Sequence, residues 1–161
     1  MALPEDLAGL ARDVLDANRY LTLGTAEPDG RPRVSPVFFT HAGYRTFYWV
    51  SSPHARHSVN IAARPGVEFV VYDTTAAIGA GRAVYVGATA EEVPEAELAA
   101  ACDEAFGGEM DPAATRFRPA DVRGDAELHL FRARATRYEV HVPGRDPAYG
   151  TGIDTRREIS L

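Results

Sequence analysis

Residues 20–50 constrain this chain most: YLTLGTAE, the turn PDG, RVSPVFFT, the turn HAGY and RTFYWV follow one another with only Arg31–Pro32 as a spacer. Short β-branched and aromatic runs broken by such turn residues read as the strands of a meander. Loops this short permit only antiparallel neighbours, because a parallel return needs a long crossover. In the first run Leu21, Leu23 and Thr25 alternate on one face, the period of a half-buried strand.

Around the meander, helical and strand patterns alternate. LPEDLAGLARDVLDANRY carries Leu7, Leu10, Ala11, Val14 and Leu15 at helical spacing, with Pro4, Glu5 and Asp6 at its start. SSPHARHSVNIAAR reads as a second helix, and VEFVVYD as a strand apolar on both faces and therefore deeply buried. The loop TTAAIGAG leads into strand RAVYVGATAEEV, and PEAELAAACDEAF predicts a further helix with Pro94 in its first turn. GGEMDPAATRFRPADVRGD is irregular, with short helical pieces. ELHLFRARATRYEVHV is the last long strand, and its apolar face changes near Ala135, which predicts a bulge. The tail PGRDPAYGTGIDTRREISL reads as loop plus a short closing strand. Some six strands with three helices predict one mainly β domain, a small antiparallel barrel with peripheral helices; a β-sandwich is the alternative.

Composition narrows the function. A net charge of −6 and a pI near 5.3 argue against nucleic acid, whose phosphates call for a basic face. No apolar run approaches a membrane span, and no signal peptide precedes the first charges. Cys102 is the one cysteine, so no intrachain disulfide forms and a cytoplasmic location is expected. All 17 cationic residues are arginine, which excludes Schiff-base chemistry on lysine.

The stretch SSPHARHSVNIAARP, residues 51–65, concentrates the polar chemistry. Ser52 is placed to cap a helix and Pro53 to begin it. Free N–H groups and the helix dipole then favour an anion, to which Arg56 adds a forked cation and His57 and Ser58 further donors. A phosphate monoester suits that set. The polar side of an ordinary helix fits the same letters, so both readings stand. Zinc is disfavoured, since His54 and His57 have no cysteine or third histidine nearby and His41, His129 and His141 are scattered. Cys102 lies in the Ala-rich run AAACDEAF, where a small buried thiol is the natural reading. No GxSxG or HExxH motif occurs, and the GAG of residues 79–81 precedes a strand instead of a helix. Side chains thus point to no difficult chemistry, which a bound cofactor would carry. Pro36 cannot donate to a strand ladder and marks an edge or bulge.

RPRVSPVFF, FYWVSSPHARHSVNIAARPGVEFVVYD and RAVYVGATAEEV, in that order, resemble the pyridoxamine-5′-phosphate-oxidase-like family of FMN-binding split barrels. The resemblance covers residues 5–106 well and the last strand more loosely, and is strongest to small actinobacterial members. It implies a six-stranded antiparallel split β-barrel and FMN at a homodimer interface. The phosphate would be held by Arg56 and His57, with Ser58 and Asn60 as neighbours. Backbone along the second and third strands, at Ser35, Pro36, Val37, Val50 and Ser51, would contact the ring. Arg82 stands where a glutamine commonly meets the flavin, and Val59 where close relatives carry arginine. Tyr138 would reach the cofactor from the partner subunit.

The resemblance also implies an FMN-dependent oxidoreductase acting on a small molecule. Pyridoxamine phosphate oxidation itself is not expected, because the family's substrate-binding lysine is absent and TRFRPADV does not reproduce its RxxxS motif. Three alternatives share the barrel: a deazaflavin-dependent reductase, a non-enzymatic flavin or haem carrier with His41, His129 or His141 as axial ligand, and a barrel that has lost its cofactor. Residues 107–127 and 143–155 are the expected lid elements.

Overall fold

The meander closes on itself through a corner in its own second strand. The computed structural model describes residues 6–161. Its first strands are β1 (Tyr20–Ala26), β2 (Pro32–Phe38), β3 (Thr40–Ala42) and β4 (Thr46–Ser51). β2 pairs with β1 and β3 with β4, yet only Phe39 separates β2 from β3. Beyond β4 come helix α2 (Arg56–Ala63), β5 (Gly66–Tyr72), β6 (Ala83–Glu92), helix α3 (Leu98–Phe106), β7 (His129–Val142) and β8 (Thr155–Ile159).

Every pairing is antiparallel, in the order β2-β1-β5-β6-β7-β4-β3. The two ends of that order are one continuous stretch of chain, so the sheet is a barrel and not a sandwich. The expected six strands are its staves. β3 is the far half of the second stave, and β8 adds outside onto β7.

Strand alternation fills the interior. Leu21 and Leu23 of β1, Phe47 and Trp49 of β4, Phe69 and Val71 of β5, Val84 and Val86 of β6, and Phe131 of β7 form one buried cluster. Each such side chain contributes about 1.5–3 kcal/mol on burial. Helix α1 (Leu7–Ala17) adds its stripe Leu7, Leu10, Ala11, Val14 and Leu15 to the same cluster, against β5 and β6. The Asp6 side chain caps it by accepting from the Gly9 N–H at 2.8 Å. The predicted start residues Pro4 and Glu5 lie outside the described residues.

The opposite face of β4 serves a second cluster, in which Tyr48 meets Leu98, Ala101, Cys102, Ala105 and Phe106 of α3. Burial pushes the Cys102 thiol pKa up, which keeps it protonated and suits a packing role.

The predicted bulge is present. Gly87 pairs with Arg137 but Ala88 with Ala135, leaving Thr136 as the extra residue. Its hydroxyl donates to the Gly87 carbonyl at 3.0 Å.

Three expectations need correction. β5 is not buried on both faces: Val67, Phe69 and Val71 point inward, while Tyr72 is exposed and Val70 half-buried. Pro94 does not enter α3; it precedes a 3-10 turn, Glu95–Glu97, from which the α-helix continues. Ser52 does not cap α2, which begins one turn later than the sequence suggests.

Candidate functional site

That late start shapes the site. Ser52 accepts the Ala55 N–H on its carbonyl at 3.0 Å and the His54 N–H on its hydroxyl at 3.2 Å. Ser52–Ala55 is therefore a β-turn with Pro53 at its favoured second position. Helix α2 opens at Arg56 with Ala55 as its N-cap and no side-chain cap. The donors of its first turn, over Arg56, His57 and Ser58, are left for another acceptor.

Side chains gather around this helix start. His57 Nε2 lies 2.9 Å from Ser51 Oγ at the end of β4. Burial first, then the nearby Arg33 guanidinium, hold the His57 pKa below its ordinary value, so the ring is largely neutral at pH 7. Ser58 is buried, and its hydroxyl has no partner among the described residues. Asn60 is fully buried; its amide donates to Thr25 Oγ1 at 3.1 Å and accepts from Arg64 at 3.5 Å. Asn60 therefore locks α2 onto β1.

A pocket of about 590 Å³ opens beside α2, lined by Glu27, Asp29, Arg31, Arg33, Val34 and Arg56 among others. Arg31 pairs with Asp29 at 2.7 Å. Glu27 is shared: one carboxylate oxygen accepts from Arg33, and the other lies 3.6 Å from Arg56. The hydrogen bond from Arg33 holds the Glu27 pKa below its ordinary value. Three guanidinium groups thus face two carboxylates, a setting that favours a multivalent anion able to displace Glu27.

The other sequence candidates separate. Ser35 is half-buried and Pro36 exposed on β2, opposite Leu23 and Thr22 of β1, while Val37 turns into the barrel. β2 stands at one end of the strand order, the edge position that Pro36 predicts. Val50 lines an aromatic cavity with Tyr48 and Trp49. Arg82 belongs to a further pocket of about 740 Å³ with Tyr72, Tyr85 and His141. Tyr138 is buried in the main core, and its hydroxyl donates to the Tyr44 carbonyl within its own chain. Val59 is exposed.

Arg31, Arg33 and Glu27 are not among the sequence candidates. Their only signal is the motif EPDGRPR, which becomes a site once α2 packs against β1 and β2.

The family model described as pyridoxamine 5′-phosphate oxidase matches residues 7–141. The chain belongs to the pyridoxamine 5′-phosphate oxidase family. Solved structures agree on the split barrel. A haem-binding protein from Mycobacterium smegmatis matches with a TM-score of 0.67 at 21% identity, over 98% of this chain and 60% of that one. This chain therefore spans little more than half the length of that relative. An FAD-binding protein from Mesorhizobium loti gives a TM-score of 0.62 at 23% identity, over 83% of this chain and 90% of that one. An F420 reductase gives 0.55 at 22% identity, over 84% of this chain and 98% of that one. At such identities the likeness is one of fold. No curated protein matches the sequence. Among the described residues, no helix is long and apolar enough to cross a membrane.

Proposed function

We propose that this member of the family holds FMN and acts as a flavin-dependent oxidoreductase on a small molecule other than pyridoxamine phosphate. The supporting observation is the convergence of Arg33 and Arg56 on Glu27 beside the uncapped first turn of α2. The residues suit a phosphate: Arg56 and Arg33 offer charge, and the helix start offers N–H donors. Ser58 adds a hydroxyl without a partner among the described residues. Bound FMN would supply hydride or electron transfer, which no side chain of the pocket provides. The chain's own part is to bind the phosphate, to orient the ring through backbone groups of β2 at Ser35, Pro36 and Val37, and to hold α2 in place through His57 and Asn60.

The active unit in this reading is a homodimer with the cofactor at the interface. β2, β1, β5 and β6 pair in sequence, and their outer face carries the exposed Val34 and Tyr72 and the half-buried Val70 and Tyr85. Apolar side chains on such a face suit a second copy of the chain.

Absorbance of the purified protein and mass spectrometry of the released ligand test the reading. FMN supports it. A deazaflavin mass would transfer the same pocket to the deazaflavin alternative, and a haem Soret band without flavin would overturn it. For haem, His129 has both ring nitrogens engaged, by Glu92 and the Gly124 carbonyl.

A further inference from the structure

The aromatic cavity that Val50 borders is built for something other than a phosphate. It holds about 360 Å³, within the range of small-molecule sites. Five rings line it: Tyr20, Phe38, Tyr48, Phe106 and Phe117. Tyr20 and Phe38 meet edge to face at 6.1 Å across the β1–β2 pair, and Phe106 and Phe117 lie 5.7 Å apart. Part of the wall comes from residues 111–117, within the irregular segment expected to act as a lid.

Its charges are already committed. Arg19, the single cation on the wall among the described residues, is bound by Asp111. Tyr48 gives its hydroxyl to Glu104, which places a second carboxylate nearby. An anionic guest would meet Asp111 on the wall, with Glu104 behind Tyr48, and no free cation among the described lining residues, at a large desolvation cost. Among the described residues one polar atom on this face of β3 and β4 stays buried and unpaired, Thr40 Oγ1. Burying such a group without a partner is costly, so a guest able to satisfy it gains affinity. The Thr40 hydroxyl is sealed from solvent, so a side chain of the wall must shift before a guest reaches it.

We propose that this cavity binds a neutral, flat aromatic molecule carrying a hydrogen-bond acceptor. Val50 on its wall is followed by Ser51, which holds His57, so the cavity adjoins the α2 site along β4. Identifying the guest as the substrate rests on the flavin reading; its binding does not.

The matched probes are 2-naphthamide and 2-naphthoate, titrated calorimetrically into the purified protein with and without FMN. The amide should bind saturably and at least about tenfold more tightly than the carboxylate, given the burial cost of the charge. Ala114→Phe, which fills the cavity from its loop wall, should abolish binding. Thr40→Val, which removes only the hydroxyl, should weaken it severalfold. Equal or tighter binding of the carboxylate, no amide binding, or amide affinity unchanged in both variants overturns the proposal. Amide binding without FMN binding sinks the flavin reading alone, and FMN binding without amide binding sinks this one alone.

Discussion

His57 Nε2 and Ser51 Oγ, 2.9 Å apart, fasten the first turn of α2 to the last residue of β4. The contact fixes where the helix points its uncapped N–H groups. It also engages one of the two ring nitrogens of a histidine whose pKa burial lowers, leaving cationic work at this helix start to Arg56 and to Arg33 from β2. The pocket is thus assembled around two arginines that sequence separates by 23 positions, with Glu27 as the internal carboxylate between them.

Competition at Glu27 gives the first prediction. Arg56→Ala should weaken FMN binding by about 1.5–3 kcal/mol, the scale of a charge-assisted contact, without loss of fold. Glu27→Gln should act in the opposite direction, since it removes the carboxylate that an incoming phosphate must displace. Fluorescence titration of FMN measures both. Unchanged affinity in Arg56→Ala would remove the phosphate assignment.

Asn60 should behave differently from Arg56. It is fully buried and bonded to Thr25 and Arg64, so its role is to hold α2 on β1. Asn60→Ala should lower unfolding stability by about 1–3 kcal/mol, because Thr25 loses its donor in a buried setting. Urea denaturation reads the loss. FMN affinity, measured where the variant is fully folded, should stay within a factor of about three.

What sequence can and cannot reveal follows from the range of the interactions. The barrel strands are legible because alternation and turn residues are local, and the bulge at Thr136 is legible because β7 changes its apolar face there. β5 misleads because Val70 and Tyr72 are apolar yet outward-facing, and composition does not distinguish a core from a surface awaiting cover. The Ser52–Pro53 pair suits both a helix cap and a β-turn; the Ser52–Ala55 hydrogen bond decides for the turn. Arg33 carries no local signal because its meaning depends on Glu27 and Arg56 meeting across the fold. Arg82 lies in a pocket apart from Arg56, and Tyr138 lies in the main core with its hydroxyl on the Tyr44 carbonyl, placements set by contacts distant in sequence.

A third prediction concerns the long strand β7. Arg132 is 6% exposed and bridges Glu91 at 2.7 Å and Glu97 at 2.6 Å, tying β6 and the turn before α3 to β7. Arg132→Met keeps most of the volume and removes the charge-assisted bonds, for an expected loss of about 1.5–3 kcal/mol in urea. The hydrogen bonds from Arg132 hold the Glu91 and Glu97 pKa values below 4.5. Their contribution is present above that value and is lost as pH falls toward the depressed folded values. Arg132→Met should therefore flatten the acid limb of the stability curve below about pH 4.5. An acid limb identical to that of the parent protein would show that the pairing contributes nothing.

His57 predicts a separate loss at milder acidity. Its folded pKa lies below the ordinary 6.5, through burial first and Arg33 second. Above 6.5 the ring is neutral in folded and unfolded chains alike, so it imposes no penalty. As pH falls through 6.5 the unfolded chain takes up a proton that the folded chain resists, and stability declines until the folded pKa is passed. The slope in this window should be shallower in His57→Gln, which keeps a hydrogen-bonding side chain near Ser51 and cannot titrate. Chemical denaturation at half-unit pH steps from 8 to 5 measures it. Bound phosphate should oppose the effect, because an anion beside the ring favours its protonated form. With saturating FMN the parent protein should lose less stability over the same interval than His57→Gln with FMN, once the phosphate's own titration, common to both, is subtracted.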